Sequence, residues 1–227
     1  MSDKLNVPAE GLRGLVGIIL IHSRKGAALV GWEQGRGAAF KVLGSDADGP
    51  ILSAPIPMQM QKFTVGLQLG YNSVYTMLCV YDQFTWTDLL RVDTAGMVMG
   101  KDITLMGLQG DYTPTTSIQP MPTLSDQAAP KAMRPVRAIT VSDSFMIVEV
   151  SVYGGSLSVD VEMLTGAYGG IATVDQVLAG TVPAPHELDL AVTAVRKELG
   201  QLGAAVTASE ARVAAAKAEA EAKASAK

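Results

Sequence analysis

The chain has a single cysteine, Cys79, in 227 residues. One thiol closes no internal disulfide, which fits a reducing compartment, and inside an apolar run it reads as a small buried hydrophobe rather than a reactive group. Histidine is almost as scarce. His22 and His186 are the whole complement, and neither has a second His or a Cys at metal-ligand spacing. No nucleophile-elbow pattern accompanies them, and the carboxylates are scattered through turns without an acid/base couple. The expectation is a protein that is not an enzyme and needs no metal or cofactor. A basic excess is also missing: 18 Lys and Arg face 22 Asp and Glu, a net charge of −4, which argues against nucleic acid as the main partner. The N-terminus lacks an apolar segment ahead of a small-residue cleavage site. The most apolar early run, Leu15–Ile21, is closed off by His22, Ser23, Arg24 and Lys25, far short of the roughly 20 residues that cross a bilayer. These absences point to a cytoplasmic chain, not transmembrane, and at most peripheral to a membrane or the cytoskeleton.

What is present suffices for one core and an appendage: hydrophobic residues make up 48 % of the chain. The stretch Gly49–Asp82 is its centre. Val, Thr, Tyr and Cys in short runs punctuated by Gly and Pro predict strands separated by tight turns. Before it, Pro8 opens a short helix over Ala9–Gly14. Strands follow at Leu15–Ser23, Gly26–Trp32 and Gly35–Leu43, with Glu33-Gln34-Gly35 as a turn and Ser45–Pro50 as a stronger one. After it come a helix over Phe84–Arg91, capped by Thr85 or Thr87, and a strand over Gly96–Leu108. Residues 110–135 form a loop holding five prolines. Strands are expected at Arg137–Val141, Ser144–Val152 and Ser156–Val161, with Gly154-Gly155 as a hairpin turn. Thr173 caps a short helix over Val174–Ala179 that ends at Gly180.

Two glycine- and aspartate-rich segments invite sharper readings. Gly31–Gly37 lacks the last Gly of a dinucleotide fingerprint and the Gly-Lys-Ser/Thr of a phosphate loop. Asp46-Ala47-Asp48-Gly49 has no third ligand or Glu at calcium-loop spacing. Turns explain both.

The end of the chain has a different pattern. Leu188, Val192, Val195, Leu199, Leu202 and Val206 are spaced 4, 3, 4, 3, 4, a heptad seam of the coiled-coil kind. Beyond Ala204 the composition is dominated by Ala, Lys and Glu with no Pro or Gly, which favours helix. A helix unbroken from 186 to 226 is on the order of 60 Å long at about 1.5 Å per residue, with Gly200 and Gly203 as its weak points. The seam reads either as a surface that docks on a helix or groove of a protein partner, or as part of a frayed, solvated tail. The chain thus divides into a globular part, 1–185, and a C-terminal helical part, 186–227.

The first 62 residues hold Lys4, Arg13, Arg24, Lys25, Arg36, Lys41 and Lys62 against five acidic residues. If Arg13, Arg24, Lys25 and Arg36 converge, they form a site for a phosphorylated lipid headgroup, each contact worth roughly 1 kcal/mol near an anionic surface. Scattered solvated charge is the alternative.

Several motifs stand in the order found in one known family. Val7-Pro8 with Leu12 and Gly17-Ile18, Gly26 with Gly31 and Gly35-Arg36-Gly37, and Ser53-Ala54-Pro55 come first. Val65-Gly66-Leu67-Gln68-Leu69-Gly70, Gly100, Val150-Ser151 with Gly155-Ser156, and Tyr168-Gly169 follow. With them the chain, from about Val7 to Glu198, resembles the SYLF domain, a lipid-binding and actin-regulating module. The resemblance implies an α+β fold: a curved, barrel-like antiparallel sheet with flanking short helices, here followed by the long C-terminal helix. It also implies binding to phosphoinositide membranes, in some members to filamentous actin, and no cofactor. The chain departs from the family pattern at Leu52, where the family has Trp, and at Val16, where it has Lys. Leu108–Asp111 and Val141–Phe145 also differ, and basic positions are lost there. Arg24 and Arg36 remain where the family is basic, and Arg13 approximately so. Two functional expectations follow. The first is a non-catalytic domain at anionic phosphoinositide membranes or the actin cytoskeleton. The second is the same fold reused as a structural subunit of a large cytoskeletal, even ciliary, assembly, docked through its C-terminal helix.

Overall fold

Gly17–Ala27 (β1) and Val30–Asp46 (β2) form an antiparallel hairpin in which Gly17 stands opposite Lys41 and Ala27 opposite Gly31. β1 ends at Ala27 and β2 begins at Val30, so the Glu33-Gln34-Gly35 segment is continuous strand and not the expected turn. The reason is legible in the packing: a Cβ on Gly35 would sit 2.8 Å from Ile21 Cγ2, and one on Gly37 only 1.8 Å from the Leu20 carbonyl oxygen. These glycines permit close approach of strands rather than reversal of the chain. The structure, a computed structural model, describes residues 14–27, 29–46, 49–92, 96–105, 115–119, 136–144, 148–170, 172–201, 203, 204 and 208. For 27, 67–72, 96–105, 115–119, 136–144 and 148–153 it describes the backbone alone. The expected helix at 9–14 lies outside these residues except for Gly14, a turn residue, and most of the proline-rich loop lies outside them too; its described part, 115–119, is strand and not loop.

Gly49–Leu52 (β3) pairs back onto the end of β2, so the Ser45–Pro50 turn signal falls where the chain does reverse. The centre of the fold is Ile56–Val80 (β4), one strand of 25 residues rather than several. Its first half follows β2, from Ile56 opposite Ala39 to Val65 opposite Val30. Its second half follows β1, from Gly70 opposite Ala27 to Val80 opposite Gly17. Since β1 and β2 are antiparallel to each other and β4 is antiparallel to both, β4 reverses its course around the hairpin tip. Near that bend the Gly66 amide donates to the Leu29 carbonyl at 3.1 Å, and Gly66 has a φ of 155° that suits glycine.

Gly96–Leu105 (β5), Thr115–Gln119 (β6), Val136–Ser144 (β7) and Val148–Val159 (β8) extend this nest. β8 pairs with the first half of β4 and β7 with its second half; β5 and β6 pair with β8 and β7. The main path, β3-β2-β1-β4-β7-β6, holds six strands, and β8 and β5 join it through β4. Among the described residues β5 and β6 do not pair with each other, so the sheet is curved around a hairpin but not closed into a barrel. Gly154 and Gly155 lie inside β8 and form no hairpin turn. A Cβ on Gly155 would meet the Gln61 carbonyl oxygen at 2.2 Å.

One sheet face is folded inward. At the open end of the nest it carries Ile19, Ile21, Ala39, Ile56, Met58, Met60, Leu78, Val80, Leu157 and Val159, all buried. Three short helices cover this core. Gln83–Leu89 (α1) is capped by Asp82, whose carboxylate accepts the Thr85 amide at 2.7 Å; Thr85 is thus inside the helix and not its cap. Its Trp86 is fully buried against Gly17. Val161–Ala167 (α2), capped by Asp160, takes the place of the end of an expected strand. Val174–Leu178 (α3) starts at Thr173, the cap that the sequence predicts, and the structure adds a capping box with Gln176. Tyr168, just after α2, donates its hydroxyl to the Pro55 carbonyl at 2.7 Å, and burial pushes its phenol up to about 12.

Residues 186–201 form a further helix (α4), with 203, 204 and 208 also helical. The rest of the long helix expected to 226 lies outside the described residues. Among the described residues no helix is long and apolar enough to cross a membrane.

Candidate functional site on the outer sheet face

The strand period of two sends alternate side chains to opposite faces, and at the hairpin tip the two faces differ in kind. The inward face turns polar there. Ser23, Lys25, Glu33, Lys62 and Thr64 are all buried. Glu33 stands opposite Lys25 across the β1–β2 ladder and opposite Lys62 across β2–β4. Its carboxylate accepts from Ser23 Oγ at 2.5 Å and from Lys62 Nζ at 3.4 Å on both oxygens. A serine, a lysine and a carboxylate within hydrogen-bond reach suggest chemistry. Burial leaves a substrate no way to the Ser23 hydroxyl, which is 0 % exposed. The cluster is an internal ion pair that fixes the register of three strands, since a slip by one residue would carry its charges to the other face.

The outward face holds the candidate site. Four register rows cross the first half of β4, β2, β1 and the second half of β4. Nearest the tip, Val65 stands opposite Val30. The next row has Phe63 opposite Trp32, their rings edge-to-face with centroids 4.2 Å apart. Then come Gln61, Gln34, Arg24 and Ser73, and after them Gln59, Arg36, His22 and Tyr75. His22 stacks on Tyr75 at 4.4 Å and shares a 2.8 Å hydrogen bond with Ser73 through Nε2. That pair holds the imidazole against β4. Arg24 and Arg36 are diagonal neighbours on adjacent strands, about 7–8 Å apart by strand geometry, and both are exposed. Asp160 lies 3.9 Å from Arg36 Nε, a long and solvent-screened contact.

Two of the four basic residues expected to converge are therefore brought together, Arg24 and Arg36. Lys25 is not: it is one residue out of phase with Arg24, points to the inner face and is 2 % exposed, so it cannot touch a surface ligand. Arg13 lies outside the described residues. The aromatic members of the face, Trp32 and Phe63 with Tyr75, are absent from the sequence expectation. Their signal is the alternation Val30, Trp32, Gln34, Arg36, which is hidden if Glu33-Gln34-Gly35 is read as a turn.

The heptad seam is also relocated. Leu199 is buried and Leu188, Val192 and Val195 are half-buried, while Leu190, off the seam, is 82 % exposed. The partner of α4 is this chain's own β2–β3 hairpin. Arg196 pairs with Asp46, and a Cβ on Gly49 would come within 2.9 Å of Gly200 Cα. Gly200 is a contact point and not only a weak point. The helix thus meets its own domain at Arg196 and Gly200; Leu202 and Val206 lie outside the described residues.

Among the described residues no cluster of three His, Cys, Asp or Glu side chains is placed to hold a metal ion. Comparison with protein-family models, with curated proteins and with solved structures finds no match for this chain.

Proposed function

We propose that this chain is a non-catalytic, SYLF-like binding domain that engages anionic, phosphoinositide-bearing membrane surfaces through the outer face of β1, β2 and β4. The observation that carries the reading is the pairing of Arg24 and Arg36 as diagonal neighbours on one exposed face. Two arginines on neighbouring strands, their backbone positions about 7–8 Å apart, can each donate to phosphate oxygens bidentately. The net charge of −4 does not oppose this, because short-range contacts are set by local charge within a Debye length of about 10 Å. The motif resemblance to SYLF domains supports the same function. A structural role in an assembly, docked through the C-terminal helix, has less support, since α4 already meets β2–β3 at Arg196 and Gly200.

Vesicle co-sedimentation with and without phosphoinositide, across a salt series, tests the reading. Binding is expected to require the anionic lipid and to weaken steeply as salt rises. Equal sedimentation with neutral and anionic vesicles, or none at low salt, rules it out.

A further inference from the structure

The hairpin tip carries an apolar surface that the two arginines do not account for. Leu29, Val30 and Val65 are 69 %, 67 % and 64 % exposed, and Trp32 and Phe63 beside them are 44 % and 52 % exposed. Single exposed hydrophobics need no explanation, but five in two adjacent register rows and the turn between them form a contiguous patch. The order of the rows along the strands decides what the patch fits. Rows two residues apart on one face are separated by about 6.8 Å. The Trp32/Phe63 row therefore stands about 7 Å tipward of Arg24, and Val30/Val65 another 7 Å beyond it. From tip to base the sequence is aliphatic, aromatic, then basic and amide-bearing. A lipid leaflet read from its acyl region outward has the same order: hydrocarbon, an interface that favours tryptophan, then phosphate. The depth agrees with the roughly 5–10 Å to which interfacial apolar faces sink.

We infer that the β1–β2 tip, together with the bend of β4 that runs around it, inserts into the leaflet, with Leu29, Val30 and Val65 in the acyl boundary, Trp32 and Phe63 at the interface, and Arg24 and Arg36 at the phosphates. This rests on the membrane reading above and adds the mode of contact: the ligand is a bilayer, not a soluble headgroup. A second copy of the chain is the competing occupant. The charges among the described side chains of these rows are the two arginines, so a two-fold contact would set like charges against each other.

The two tryptophans make the test direct, because Trp86 is fully buried and Trp32 is not. The full chain is mixed with phosphatidylcholine vesicles containing a phosphatidylinositol bisphosphate, their acyl chains either brominated or plain. Brominated chains are expected to quench the Trp32 component, leaving the emission of Trp86. The Trp32→Phe variant, still folded by its Trp86 emission, is expected to show no quenching. Val30→Ser with Val65→Ser is expected to weaken partitioning roughly tenfold or more, from lost apolar transfer, while leaving the salt dependence unchanged because both arginines remain. Salt-sensitive binding without quenching overturns insertion and leaves the electrostatic membrane reading standing. Absence of binding to any anionic vesicle overturns both. Concentration-dependent dimerisation that shields Trp32 from iodide without lipid overturns insertion in favour of self-association.

Discussion

Trp86→Ala is expected to lower the stability of the fold by about 3–5 kcal/mol, the range for removing a large aromatic side chain from a core. The indole is 0 % exposed and fills the open end of the nested strands, where a Cβ on Gly17 would stand 2.3 Å from its ring. No neighbour can move in: β1 is held by β2 on one side and β4 on the other. The vacated volume therefore stays largely empty, which puts the loss toward the upper part of the range. Trp86 Nε1 has no hydrogen-bond partner among the described residues, so Trp86→Phe, which removes that donor and keeps most of the ring, is expected to cost distinctly less. Urea unfolding checks both, read as a lower midpoint at unchanged slope. A loss under about 1 kcal/mol for Trp86→Ala would mean that α1 does not close the core.

The second large effect is on binding. Arg24→Glu with Arg36→Glu is expected to weaken association with anionic vesicles by close to three decades. Each arginine contributes roughly 1 kcal/mol near such a surface, and reversal replaces that attraction by repulsion of similar size. Two reversals sum to about 4 kcal/mol, at 1.4 kcal/mol per decade. Stability should change little, because both side chains are exposed and the Arg36–Asp160 contact is long. Arg196→Glu is the matched control. It breaks the ion pair to Asp46 that helps dock α4 and should leave vesicle binding intact. Lys25→Glu is no substitute for either: it would bury a carboxylate beside Glu33 and unfold the sheet. Wild-type affinity in the double variant would place the lipid contact elsewhere.

The sequence and the structure agree where one local signal has one physical meaning. Ser45–Pro50 is a turn because its residues favour nothing else, and β2 and β3 meet there. Thr173 reads as a helix cap, and α3 begins there. The misreadings share a cause. Glycine marks both a reversal of the chain and a place where another backbone comes close, and composition does not separate the two. Gly35, Gly37 and Gly155 are of the second kind, since a Cβ at any of them would collide with a neighbouring strand. Taken as turns, they cut β2 short and divide β8 in two, and the turn residues of the central stretch divide β4. With β2 broken, the phase of its alternation was lost, and with it the aromatic row of Trp32 and Phe63. Lys25 failed for a related reason: adjacent basic residues in a strand face opposite ways, so Arg24 and Lys25 never share a surface. Along the described helix Leu199 is buried and Leu188, Val192 and Val195 are half-buried. What it packs on was not legible, because the contact pairs α4 with a hairpin some 150 residues earlier, as Arg196 and Asp46 show.

The central claim is that the outer face of β1, β2 and β4 is the surface this chain presents to anionic lipid. Amide hydrogen exchange of the full chain, with and without anionic vesicles, tests it most directly by locating the contact on the sequence. The account predicts slowed exchange at the hairpin tip, across 26–36 and 59–66, with α4 unchanged. Unchanged exchange at the tip together with slowing in 186–201 would contradict it and would make the C-terminal helix the contact.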